Sequence, residues 1–507
     1  MQLAENMAAW TFYGRTEPLA DLSRIVSSGR WFFCRIEGRR RIGKTTLISH
    51  LARNNAMLSN HLVYMQVPDS DERDVAATFQ RALKDSDHSL ARQLSARVVD
   101  FATMANVIGA LCRDGLVIVI DEFQYFTRTA LSSFSSFLQA EVDKLRNSSL
   151  SHGGLFVLGS LHADMNLLLE DAGSPLFGRL TQRIRLDHWD FEDLVSVFRN
   201  QEVLAPSQWL TLWTFFEGVP KFYHDAFEQD LYQVAPEVFS DELLTRMFIR
   251  SSSPLSEEAD TWFLRELRGR HLAILTFLAE HPGCGHGDLL AGVGAPVEKT
   301  QIGGYLTKLV QNYEMIVKLN PVFSDGKSRN ARYYIADNFL QAWLSVAKPA
   351  REAARMKSLE RTLELARPRL ESLEGFAFEK LVRKLHEECS RKGKGDFELS
   401  SLQMGFWNRP KDASRSIEID LVALDETNQR IRFGSCKRSA DAHTNESLAR
   451  FEQHVTDFLA GKDHRYLQAW TKEMFLFSPV FTDGDRNHFA GKGYVARDLN
   501  YYAGHFK

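Results

Sequence analysis

Gly38-Arg39-Arg40-Arg41-Ile42-Gly43-Lys44-Thr45-Thr46 is the stretch on which the fold turns. Its first eight residues complete the pattern G-x4-G-K-[ST], set between an apolar run at 31–36 and a helix-like stretch at 45–52. In such a loop the glycines let successive backbone N–H groups turn inward around a polyphosphate. Lys44 then reaches the β- and γ-phosphates, and the Thr45 hydroxyl completes a Mg²⁺ shell. The helix that follows aims its positive end at the same anion. A strand before the loop and a helix after it make this a predicted nucleoside triphosphate site, with residues 38–46 as the cradle.

The partner of such a loop is an acidic strand end, and Leu116-Val117-Ile118-Val119-Ile120-Asp121-Glu122 supplies one. Asp121 is placed to approach the Mg²⁺ ion or orient its bound water, and Glu122 to polarise the water that attacks the γ-phosphate. Ser160, beyond the apolar run 155–158, is either a polar group between that water and the γ-phosphate or a plain Gly-Ser turn. Arg179, after the breaker-rich Ser174-Pro175-Leu176-Phe177-Gly178, has two readings as well. It either stabilises charge on the transferring phosphoryl group, in its own subunit or across a homo-oligomer interface, or it forms a surface salt bridge.

The 507 residues exceed one hydrophobic core and predict several domains. Hydrophobic residues at 44% and charged residues at 25% exclude wholesale disorder. No apolar stretch reaches the ~18–20 residues that span a bilayer, and the N-terminus lacks a signal pattern, so a cytoplasmic protein with no membrane partner is expected. The five cysteines are scattered without a C-x-x-C pair and read as reduced thiols. A net charge of -3 gives no global attraction to nucleic acid, so any DNA contact must come from local patches.

Strand-like runs at 31–36, 61–67, 116–120, 155–158 and 183–186 alternate with amphipathic segments, the pattern of a parallel α/β sheet. A helical, aromatic-rich stretch follows; its Trp209, Trp213, Phe215 and Phe216 read as packing. Helices at 272–279, 287–291 and 297–311, then strands at 315–319 and 333–336, describe a winged helix. Lys299, Thr300, Gln301, Tyr305 and Lys308 of its third helix are candidate DNA contacts. So is the wing tip carrying Lys327, Ser328, Arg329, Asn330 and Arg332. His281, Cys284 and His286 lack a fourth ligand and read as an ordinary loop. A charged helix at 351–367, stopped by Pro368, reads as a connector. The predicted fold class is α/β multidomain. Its parts are a P-loop core with a parallel sheet at 1–195, a helical lid at 196–262, a winged helix at 263–350, a linker helix at 351–372 and an α/β domain at 373–507.

These pieces resemble one family. Phe12-Tyr13-Gly14-Arg15 with Glu17, the phosphate loop, Ile120-Asp121-Glu122-Phe123-Gln124, Gly159-Ser160, Phe177-Gly178-Arg179 and Gly218-Val219-Pro220-Lys221 fall in the order seen in archaeal-type ATPases. That family belongs to the signalling ATPases with numerous domains, related to the AAA+ class. The resemblance implies ATP and Mg²⁺ as ligands and ATP hydrolysis as the reaction. It also implies that Gly14 and Arg15 lie near the adenine or ribose, and that Pro220 contacts the nucleotide from the lid and reports its state downstream.

The ending resembles the PD-(D/E)XK, restriction-endonuclease-like fold, with Glu379 on a helix, Asp420 in a strand and Lys437 at the end of the next. There carboxylates hold Mg²⁺ against a phosphodiester while the lysine stabilises the hydroxide nucleophile. Glu418 and Asp420, two apart in a strand, share one face, as do Ser435 and Lys437. The family pattern has an acidic residue or Gln where this chain has Ser435, and a hydroxyl is a poorer Mg²⁺ ligand. Two functions are therefore expected in competition. One is an Mg²⁺-dependent ATPase coupled to a DNA-acting nuclease; the other is a slow ATPase switch whose C-terminal domains bind protein or nucleic acid without cutting.

Overall fold

The computed structural model describes residues 9–148, 152–160, 162–203, 205–262, 264, 267, 269–293, 300–324, 330–401, 404–410, 412 and 415–506. Of the candidate DNA contacts, Lys299, Lys327, Ser328 and Arg329 lie outside the described residues, as do the side chains of Thr300 and Gln301. The chain divides into two compact units, one of residues 12–188 with 219–221, the other of 1–11, 189–218 and 222–507.

The first unit is built on a parallel sheet of β1 (Phe32–Gly38), β2 (Leu62–Gln66), β3 (Val117–Asp121), β4 (Gly154–Gly159) and β5 (Gln182–Leu186), in the order β2-β3-β4-β1-β5. All five expected strands are present. Their side chains alternate between two cores because successive residues of a strand face opposite ways. Phe33, Ile118, Ile120, Leu155 and Val157 enter one core, whereas Phe32, Ile36, Val119, Phe156 and Leu158 enter the other. Arg35 breaks the alternation by sitting fully buried on the Phe33 side. Its guanidinium donates to Asn166 Oδ1 at 2.7 Å and Glu170 Oε1 at 2.8 Å, and pairs with Glu37. The strand order inserts β4 between the loop-bearing β1 and the acid-bearing β3. The carboxyl ends of these three strands therefore lie side by side, where open α/β sheets bind their ligands.

In the second unit the helices Phe191–Asn200 and Pro206–Phe216 pack through aromatic rings, Trp209 stacking on Phe198 at 5.3 Å between centroids. Trp209, Trp213, Phe215 and Phe216 are all buried, as packing residues should be. The expected boundary at 195 falls inside the helix Phe191–Asn200. That helix belongs to the second unit because Glu388 caps its first turn, accepting the N–H groups of Phe191 at 2.7 Å and Glu192 at 3.1 Å.

Helices Arg270–Glu280, His286–Gly292 and Thr300–Gln311 follow, with a three-stranded antiparallel sheet. Its strands are β6 (Cys284–Gly285), β7 (Ile316–Leu319) and β8 (Arg332–Ile335), in the order β6-β8-β7. β6 had no sequence signal, since two residues carry no period. His281 stacks on Phe277 and His286 faces Tyr333, so each ring has a packing partner.

The start of the expected connector, 351–354, ends the helix Lys348–Ala354, whereas its remainder from Leu359 and the expected first helix of the C-terminal domain are one helix of 33 residues, Leu359–Arg391. Pro368 does not stop it. A proline in a helix interior loses one hydrogen bond and costs about 3 kcal/mol. Here Leu363, Ala366, Leu370, Leu373, Ala377 and Phe378 are buried along the face on both sides of Pro368, and burial at ~1.5–3 kcal/mol per large apolar side chain outweighs that loss. The second sheet comprises β9 (Met404–Trp407), β10 (Glu418–Asp425), β11 (Arg430–Cys436), β12 (Thr471–Phe477) and β13 (Val495–Arg497), ordered β13-β12-β11-β10-β9. β9, β10 and β11 pair antiparallel, and β11, β12 and β13 parallel. The helix Asn445–Ala460 covers one face.

Candidate functional site

In the first unit, the loop after β1 turns where it must leave ordinary backbone geometry. Gly38 has φ 154° and Gly43 φ 90°, and a Cβ at Gly38 would collide with the carbonyl of Leu186. The helix Lys44–Asn54 starts directly at the loop lysine. Lys44 is buried, and its Nζ donates to the carbonyls of Gly38 at 2.8 Å and Arg39 at 3.1 Å, folding it over the loop that a phosphate would fill. Burial pulls its pKa down to about 8, against the opposing charges of Asp121 and Glu122 and with the help of Arg40.

Thr45 and Asp121, far apart in sequence, meet: Thr45 Oγ1 donates to Asp121 Oδ2 at 2.7 Å. A hydroxyl and a carboxylate converging at the end of a phosphate loop are the oxygen donors a hard divalent cation takes. Asp121 is held from two further sides. Tyr64 OH donates to the same Oδ2 at 2.8 Å, and the Glu122 N–H donates to Oδ1 at 2.8 Å. Glu122 itself stands in the left-handed region at φ 56°, at the turn out of β3. Its carboxylate accepts from the Gln124 amide and from Ser160 Oγ, the latter at 3.4 Å. Ser160, next after β4, is thus brought to the acidic pair by the strand order.

Arg15, at φ 62°, donates to the carbonyl of Ile42 in the loop at 3.0 Å and to that of Asp187 at 2.6 Å. Gly14 precedes it at φ 63°. Pro220 opens the helix Pro220–Glu228. Arg179 takes the salt-bridge geometry: its Nε and NH2 donate to the two carboxylate oxygens of Asp143 at 2.8 and 2.9 Å, and NH1 to the carbonyl of Phe177 at 3.0 Å. Tyr64 and Gln124 carried no role in the sequence reading. Gln124 lay inside the quoted Ile120–Gln124 motif, two residues from Glu122, whereas Tyr64 reaches Asp121 only through the pairing of β2 with β3.

A second cluster lies in the second unit. Glu379, on the long helix, faces Asp420 and Glu418 of β10, with Arg383 and Lys437 among them. Burial and then the charge of Asp420 push the Glu379 carboxyl up to about 8. Burial also raises Asp420, against Lys437 and against a hydrogen bond that its Oδ2 accepts from the Cys436 N–H at 2.8 Å. Arg383 stands 3.7 Å from Glu379. Glu418 is exposed and pairs with Arg332 of β8 at 2.7 Å. Ser435 is buried in β11.

Parallel strands around a phosphate loop, with an acidic strand end bonded to the loop threonine, define a P-loop nucleotide-binding fold. Residues 12–226 match the family described as the ATPase domain predominantly from Archaea, and the protein is an ATP-binding ATPase. Residues 343–448 match a second family, described as archaeal and bacterial proteins of unknown function. An uncharacterized protein of Methanocaldococcus jannaschii is 24% identical over 429 residues, covering 84% of this chain and 87% of that one. Among solved structures, the Walker-type ATPase of Pyrococcus abyssi is 17% identical with a TM-score of 0.47, over 66% of this chain and 96% of that one. The ORC2 protein of Aeropyrum pernix is 14% identical with a TM-score of 0.47, over 73% and 96%. Among the described residues no helix is long and apolar enough to cross a membrane.

Proposed function

We propose that the chain is an Mg²⁺-dependent ATPase whose nucleotide state governs a DNA-acting C-terminal half. The observation that carries the first part is the Thr45–Asp121 contact at 2.7 Å beside Lys44 and Glu122. Thr45 and Asp121 would hold Mg²⁺, directly or through its water; the ion supplies charge neutralisation for the β- and γ-phosphate oxygens. Lys44 leaves the loop carbonyls for the phosphates. Glu122, released by Gln124 and Ser160, orients the attacking water, and Ser160 holds the water or a γ-phosphate oxygen. Arg15 fixes the loop from outside through the Ile42 carbonyl, and Gly14 leaves room for the nucleoside. Arg179 acts on phosphate only after leaving Asp143. Pro220 reads the nucleotide from the head of its helix.

For the second part, residues 263–350 serve as a winged helix and 373–507 as a PD-(D/E)XK-type domain, with 196–262 as the lid. Glu379, Asp420 and Glu418 around Lys437 support a site for Mg²⁺ or Mn²⁺ on a phosphodiester, because such a group of carboxylates lowers its own repulsion by binding a cation. The test is purified protein with DNA, Mg²⁺ or Mn²⁺ and ATP, beside Asp420→Ala. Cleavage lost in the variant supports the nuclease; cleavage that persists unchanged refutes this site.

A second reading, a switch that binds without cutting, is favoured by one observation. Ser435 stands buried where a carboxylate is expected, and Glu418, the acid best placed to replace it, is already paired with Arg332. No cleavage with either metal, alongside intact ATP turnover, would establish it.

A further inference from the structure

Glu217 directly precedes Gly218-Val219-Pro220 and is 3% exposed. Its backbone sits at φ 50°, ψ −113°, a region that residues with a Cβ rarely adopt. The second unit holds it there from several sides. Its Oε1 accepts from Lys384 Nζ at 2.7 Å and lies 3.0 Å from Lys380 Nζ, and its Oε2 accepts from the Asn338 N–H at 3.2 Å. Its own carbonyl accepts from Tyr223 OH at 2.6 Å, and its N–H donates to the carbonyl of Trp213 at 2.8 Å. A buried carboxylate between two ammonium groups keeps its geometry because its departure would leave two like charges facing each other without compensation.

The two lysines lead to the acidic cluster. Lys380 follows Glu379 on the long helix, and Lys384 stands one turn beyond. Lys380 also donates to the Ala336 carbonyl at 2.9 Å and to Asn338 Oδ1 at 2.8 Å. Ala336 comes next after β8, whose first residue, Arg332, pairs with Glu418. One carboxylate therefore ties the residue before the lid motif to both elements that flank the cluster, the helix bearing Glu379 and the strand bearing Arg332.

We infer that Glu217 is a positioning residue that couples the nucleotide-dependent conformation of residues 218–220 to the Glu379–Asp420 cluster through Lys380 and Lys384. The inference rests on the reading of the lid motif as a nucleotide sensor. A backbone change at 218 acts first on the neighbouring peptide, and Glu217 has little allowed space in which to absorb it. Either its carboxylate leaves the lysines or the helix and β8 follow it.

Hydrogen–deuterium exchange on the full chain tests this, comparing ADP with the nonhydrolysable analogue AMP-PNP, both with Mg²⁺. In the unaltered protein, peptides spanning 332–338 and 376–386 should differ between the two nucleotides by about fivefold or more in exchange rate, the low end of ordinary coupling. Glu217→Gln keeps the shape and drops the charge; it should bring the two states within about twofold while AMP-PNP affinity changes by less than about threefold. A merely structural defect raises exchange equally in both states, so only lost coupling removes the difference. Where Glu217→Gln does not fold, Lys384→Met serves, because that lysine is partly exposed. A difference retained in full by either variant overturns the inference and leaves the sensor reading intact. No difference in the unaltered protein overturns both.

Discussion

Lys44 makes nucleotide binding sensitive to pH, and the size of the effect follows from its surroundings. Burial lowers its pKa to about 8, and Asp121 and Glu122 do not restore it. A bound triphosphate adds negative charge at the ammonium and returns the group to or above the ordinary lysine value of about 10.4. Binding must then take up the missing proton. With a pKa of about 8 before binding, half of the Lys44 side chains lack the proton at pH 8, so uptake should be roughly 0.5 per site there. Between pH 7 and pH 9 the apparent affinity for Mg²⁺-ATP should fall about tenfold, or ~1.4 kcal/mol. For folding, a base with a lowered native pKa gives the reverse trend: its contribution to stability grows as pH rises from about 8 toward about 10.4, and is smallest below that window. Titration calorimetry of the unaltered chain with Mg²⁺ and the nonhydrolysable analogue AMP-PNP at pH 8, in two buffers of different ionisation enthalpy, measures the uptake directly. Lys44→Met should abolish uptake and most of the affinity. Equal affinity at pH 7 and pH 9, with no proton uptake at pH 8, would mean that Lys44 is already fully protonated before the nucleotide binds.

Tyr64→Phe removes one of the donors that orient Asp121 and should weaken Mg²⁺-dependent activity by about tenfold, read as a higher Mg²⁺ concentration for half-maximal turnover. Asp143→Ala removes the partly exposed partner of Arg179 and should cost about 0.5–1 kcal/mol of stability by denaturant melting. Pro368→Ala restores the amide that the helix lacks and should stabilise the second unit by about 1–3 kcal/mol, visible as a raised melting midpoint. At the acidic cluster, Glu379 must lose a proton before it can hold a cation. Mn²⁺ binding, followed by electron paramagnetic resonance with Asp420→Ala as the blank, should therefore strengthen from pH 6 to pH 8.

The nucleotide unit was readable because its signals are local. A phosphate loop needs glycine at fixed offsets, and a buried parallel strand needs a continuous apolar run, so β1 to β5 and the positions of Lys44 and Thr45 after β1 and of Asp121 and Glu122 at the end of β3 are legible in the sequence. What escaped depends on pairing. Tyr64 reaches Asp121 only because β2 lies beside β3, and the partner of the salt bridge expected as one reading of Arg179, Asp143, lies on a helix 36 residues earlier in the chain. In the C-terminal unit the misreading at Pro368 has the same origin. A local rule predicts a break, and tertiary burial on both sides of the proline overrides it. β9, β13 and β6 are short strands recruited by longer neighbours, and they have no period of their own. Glu217 was invisible for another reason, since neither a strained backbone nor a pair of lysines on a distant helix leaves a mark in the local sequence.

Gly38–Thr45, Asp121 and Glu122 are proposed to form one ATP-hydrolysing site. Single-turnover hydrolysis of Mg²⁺-ATP by the unaltered chain and by Glu122→Gln, with nucleotide binding measured on the same samples, tests it most directly. Glu122→Gln should bind ATP within about threefold of the unaltered affinity and hydrolyse it at least ~10²-fold more slowly. Hydrolysis by Glu122→Gln at the unaltered rate would contradict it.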